Sequence, residues 1–154
     1  MAVVKNSTRV FFIPGTACDE QLWKALWPSM YVKLSEDSFQ FIHLKIPNQG
    51  TMDEVIMSLV QAIRVQSANQ AFYLVGFSMG GYLASAVSLN FTELMQGVLI
   101  LSNTPKALPE LELAQRKGIV KGIEKSGYKG LSRSRALDFV DVKHRANEAL
   151  IVTI

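Results

Sequence analysis

Four apolar runs constrain this chain more than any other feature: RVFFI (9–13), FQFIHLKI (39–46), AFYLVGF (71–77) and QGVLILSNT (96–104). Each is close to continuously hydrophobic, where a strand with one wet face would alternate, so each predicts a strand buried on both sides. Helical patterns separate them. DEQLWKALWPSM (19–30) opens on acids, which suit a helix N-terminus, and repeats Leu22/Leu26 and Trp23/Trp27 at helical spacing. TMDEVIMSLVQAIRV (51–65) carries a capping-box signature, Thr51 with Glu54, followed by the stripe Val55, Leu59, Ile63. MGGYLASAVSLNF (79–91) reads as a third helix. Strands and helices in strict alternation predict the α/β class, a parallel sheet with helices on both faces.

At 154 residues, 49% hydrophobic and 19% charged, the chain suits one folded domain and excludes a disordered tail. One cysteine, Cys18, leaves no internal disulfide and points to a reducing compartment. The apolar stretch near the N-terminus is too short for a secretory signal, and no run reaches bilayer-spanning length, so the expectation is a cytoplasmic protein with no membrane role. From Pro105 onward the pattern changes. Residues 1–104 hold six basic and seven acidic side chains, whereas residues 105–154 hold ten and six. KALPELELAQRKGIVKGIEKSGYKG predicts a helix after Pro109, weakened by Gly118 and Gly122, and LSRSRALDFV predicts a second, short one. EALIVTI runs apolar to the last residue, which leads us to expect that more chain follows in the natural protein.

GFSMG (76–80) lies between the third strand and the third helix. A serine on so sharp a turn needs an unusual backbone conformation, and glycines two residues before and two after let neighbouring chains pass. Ser78 then projects over a helix N-terminus that favours developing negative charge, and Gly81 and Ala84 let that helix approach the sheet. Ser78 is therefore the candidate nucleophile, with Gly76 and Gly80 shaping its turn; the plainer reading is a helix-capping serine in a glycine-containing turn. Acyl transfer also needs N–H donors for an oxyanion. Pro14-Gly15-Thr16 ends the first strand, so the backbone N–H groups of Thr16 and Met79 form the natural pair, against the alternative of an ordinary strand-end turn.

With PGTACD, IPNQGTMDE and GFSMGGYLA, residues 9–104 resemble the N-terminal half of α/β-hydrolase-fold proteins. The chain is most similar to small bacterial esterase-like members, whose relatives include carboxylesterases acting on pimeloyl-carrier esters and the menaquinone-pathway lyase. The resemblance implies Ser78 as nucleophile, Thr16 and Met79 as oxyanion donors, a core over 1–104, and a helical cap that begins at 105 and is cut short at 154. Pro14 stands where many members have histidine; that position shapes the loop and does not supply the base. The fold then places the acid and histidine on later loops of the core sheet, absent from this sequence.

Asp138 and Asp141 precede His144, so a triad with Ser78 is formally ordered, but an Asp–His pair three residues apart in the cap reads as a surface pair. His43 precedes the serine inside a strand and reads as a packed or capping residue, and Cys18 as a small packed one. Lys117, Lys121 and Lys125 form a basic stripe: a solvated helix face, or a docking surface for an acidic carrier protein. No nucleic-acid motif, metal-ligand cluster or phosphate loop is visible, so no cofactor and no metal are expected. The functional expectation is a serine hydrolase of esters or thioesters, inactive as this chain alone. The alternatives are a lyase or C–C hydrolase on the same fold, a non-catalytic binding protein, and an inactive fragment. A half-sheet would also expose an edge strand, leaving the oligomeric state open.

Overall fold

A computed structural model describes residues 7–24, 26–34, 37–104 and 106–152. The chain divides into two compact units, Met1–Asn103 and Thr104–Ile154.

The first unit contains four strands: β1 (Thr8–Ile13), β2 (Phe39–His43), β3 (Phe72–Phe77) and β4 (Met95–Leu101). They form one parallel sheet in the order β2-β1-β3-β4. The helices are α1 (Gln21–Lys24), α2 (Leu26–Leu34), α3 (Met52–Ser67) and α4 (Met79–Ser88). β1 shows why its run is uninterrupted. Phe11 and Ile13 pack with Leu59, Val60 and Ile63 of α3 and Leu83 and Val87 of α4. Val10 and Phe12 point the opposite way, onto Trp23, Trp27 and Phe41. Successive strand residues face opposite sides, so covering both sides requires hydrophobicity at every position.

Thr51 caps α3 as a reciprocal box: its hydroxyl accepts the Glu54 N–H, and Glu54 accepts the Thr51 N–H at 2.7 Å. The predicted 19–30 helix is found as two helical pieces, α1 and α2, and it runs on to Leu34. The second predicted strand stops at His43, three residues before the apolar run ends. There Leu44 makes its last bond to the Phe12 carbonyl at 2.8 Å, and the chain turns away toward Pro47. Among the described strands β4 is an edge, and its Val98, Leu99 and Ile100 are exposed.

The second unit holds α5 (Glu110–Ser126), α6 (Arg133–Leu137), a 3₁₀ turn (Val142–His144) and α7 (Glu148–Val152). Its small apolar cluster joins Ala136, Val140 and Ile151, and Arg133 pairs with Glu148. No residue of α5 is buried.

Candidate active site

Strand order decides where a site can form. The chain steps from β1 outward to β2, then crosses back to place β3 on the other flank of β1, so the order reverses between β1 and β3. Loops leaving the carboxyl ends of those two strands splay apart and open a crevice at that point. Residues 14–20 leave β1 there, and Ser78 leaves β3 one residue beyond its end.

Ser78 adopts φ 53°, ψ −119°, a left-handed conformation that an L-residue holds only when its surroundings impose it. Those surroundings are the two flanking glycines. A Cβ on Gly76 would lie 2.7 Å from the Gly80 carbonyl carbon and 2.8 Å from the Ala84 Cβ. A Cβ on Gly80 would drive into the carbonyl oxygens of Ile13 and Pro14 at the end of β1. The turn is thus wedged between its own helix and the neighbouring strand, and only hydrogen fits at either position. Ser78 stands at the N-cap position of α4 but makes no side-chain capping bond to it.

The loop after β1 comes directly alongside. A Cβ on Gly15 would sit 3.3 Å from the Ser78 Cβ and 3.0 Å from the Phe77 ring. The next residue, Thr16, is exposed, and among the described residues neither its N–H nor that of Met79 meets an acceptor. Cys18 turns back and donates to the Thr16 carbonyl at 3.5 Å, and partial burial pushes its thiol pKa up, so it stays protonated at neutral pH. A cleft of about 600 Å³ opens beside the elbow, lined by Gly15, Cys18, Glu20, His43, Lys45 and Met79 among others.

His43 stands on β2, paired with Phe12, so β1 lies between it and the elbow. At backbone level that is two strand spacings, ~10 Å. Its Nδ1 is buried without a partner, and burial lowers its pKa against the opposing pull of Glu20 and Asp19, so the ring is neutral. In the second unit Asp141 accepts the Lys143 N–H at 3.1 Å and pairs with the Lys143 ammonium at 3.6 Å, while Asp138 pairs with Arg135 at 3.0 Å. Neither carboxylate orients His144. Lys117, Lys121 and Lys125 are exposed along α5. Among the described residues no three metal-ligating side chains gather, and no helix is long and apolar enough to cross a membrane.

The sequence pattern of the alpha/beta hydrolase fold family matches residues 17–137. The chain belongs to that family. Among curated proteins none matches it. Solved structures do. A thermophilic esterase from Thermogutta terrifontis superposes with TM-score 0.69 at 18% identity, covering 96% of this chain and 56% of that one. An extracellular alpha/beta-hydrolase from a Paenibacillus species gives 0.68 at 13% identity, with 95% and 65% covered. MenH from S. aureus gives 0.62 at 16% identity, with 98% and 61% covered. At these identities the likeness establishes the fold, and the chain spans between half and two thirds of the length of each of these structures.

Reading the sequence missed Asn103. Its side-chain Nδ2 donates to the Ser78 carbonyl at 2.6 Å. The only signal for it is a polar residue near the end of the last run (96–104), where the strand itself stops at Leu101 and a turn residue is routine.

Proposed function

We propose that this chain carries the nucleophile and oxyanion-binding portion of a serine hydrolase acting on a carboxylic ester or thioester. Ser78 Oγ attacks the carbonyl carbon, and its proton passes to a general base. The carbonyl oxygen becomes an oxyanion that accepts hydrogen bonds from the Thr16 and Met79 N–H groups. Collapse of the tetrahedral species expels alcohol or thiol and leaves an acyl group on Ser78; water then releases the acid and restores the hydroxyl. The observation that supports this reading is the close approach of Gly15, the residue before Thr16, to the strained Ser78, with no acceptor for the Thr16 or Met79 N–H among the described residues.

The base comes from outside these 154 residues in this proposal. The sequence has two histidines: His43 stands across β1 from the elbow, and among the described residues no carboxylate pairs with His144. The cleft beside Met79 would receive part of the substrate.

The test is hydrolysis of short-chain aryl esters and acyl thioesters by the protein at its natural length, with Ser78→Ala alongside. The expected result is turnover that the substitution abolishes. Turnover surviving in Ser78→Ala overturns the proposal, and binding without turnover in the unmutated protein moves it to the non-catalytic reading.

A further inference from the structure

Both backbone polar groups of Ser78 are held from the β4 side of the elbow. Its N–H donates to the Leu101 carbonyl at 2.9 Å, and its carbonyl accepts Nδ2 of Asn103 at 2.6 Å. Two local features let Asn103 reach across. Ser102 takes a left-handed φ of 52°, bending the chain immediately after β4. Gly81 leaves the necessary space, since a Cβ there would come 3.0 Å from Asn103 Nδ2 and 2.9 Å from Ile100 Cγ2.

The carbonyl that Asn103 holds belongs to the Ser78–Met79 peptide. That unit is planar and trans, so its C=O and N–H point in opposite directions, and fixing one end fixes the other. A hydrogen bond to the carbonyl also polarises the peptide and makes its N–H a stronger donor. Gly81 N–H donates to the same carbonyl at 2.9 Å, but it lies within the same turn and moves with it. Asn103 anchors the peptide from a separate segment, the turn that follows β4.

We propose that Asn103 is a positioning residue of the elbow, its side-chain amide aiming the Met79 N–H at the oxyanion. This rests on the reading of Ser78 and Met79 given above. Asn103→Asp keeps the shape and removes the donor. Two readouts separate the proposal from that underlying reading. The first needs no turnover: the amide resonance and hydrogen exchange of Met79, recorded by NMR on the chain itself. The second is the division between kcat and KM for ester hydrolysis by the natural-length protein.

In Asn103→Asp the Met79 amide resonance should move and its exchange quicken. kcat should fall by roughly tenfold to a hundredfold with KM changed less than about twofold, the mark of an interaction made in the transition state. If Asn103→Asp does not fold, Asn103→Ala removes the donor without adding charge and is read the same way. A Met79 amide unmoved in the folded variant overturns the proposal, as does a loss that appears in KM alone. A Met79 amide that moves while the unmutated protein shows no Ser78-dependent turnover supports the anchoring and instead refutes the nucleophile reading.

Discussion

Gly80→Ala and Gly118→Ala are the same chemical change, and the structure gives them opposite signs. At Gly80 the new Cβ would stand 2.3 Å from the Ile13 carbonyl oxygen and 2.4 Å from that of Pro14. Ordinary contact begins near 3.4 Å, so the methyl arrives about 1 Å too close to two backbone atoms. Neither oxygen swings aside as a long side chain would. Ile13 is fully buried and paired in register with Gly76, and β1 is held on both flanks by β2 and β3. Relief must therefore come from displacing α4 or the end of β1. Overpacking of well-packed cores costs ~1–3 kcal/mol, and with two rigid clashes this site belongs at the upper end. For a domain of this size, about 3 kcal/mol lowers Tm by roughly 6–12 °C. At Gly118, within α5, the added Cβ meets nothing within 4 Å. There alanine should stabilise its helix by ~0.5–1 kcal/mol. Urea unfolding of each variant, followed by circular dichroism, reads both. A Gly80→Ala midpoint within ~0.5 kcal/mol of the unmutated protein would refute the steric account of the elbow.

Two further outcomes follow from local geometry. Ser78→Gly should stabilise the fold by ~0.5–1 kcal/mol in urea unfolding, since relief of a positive φ outweighs glycine's added chain entropy; destabilisation by more than that would show the serine is unstrained. Hydrogen bonds from Thr51 hold the Glu54 carboxyl below its ordinary value of 4.5. A depressed folded-state pKa adds stability that is complete above the unfolded value and disappears as acid protonates the folded group. Urea midpoints taken from about pH 6 down to about pH 3 should therefore fall less for Glu54→Gln than for the unmutated chain, and parallel curves would contradict the assignment.

The parts of the fold that could be read in advance are those whose physics is local. Four parallel strands were legible from their apolar runs, as was the box at Thr51 and Glu54. The expected burial on both faces holds for β1 and β3 but not for β4, an edge strand among those described, none of whose residues is buried. The glycines at 76 and 80 were legible because a serine on a strand-to-helix turn leaves no room for other residues. FQFIHLKI overran its strand because hydrophobicity persists past the last ladder bond: Leu44 is buried in the core although the strand ends at His43. Asn103 escaped because its partner is 25 residues away, and nothing in LSNT distinguishes an anchoring amide from a turn residue.

The central claim is that the elbow presents Ser78 as an activated nucleophile, and labelling tests it most directly. The protein at its natural length is treated with a fluorophosphonate and its intact mass recorded, beside Ser78→Ala and the 17.1 kDa chain alone. The account predicts one adduct at natural length, lost in Ser78→Ala, and none on the 17.1 kDa chain, since the proposal puts the base outside it. An adduct that persists in Ser78→Ala, or no adduct at natural length, would contradict it.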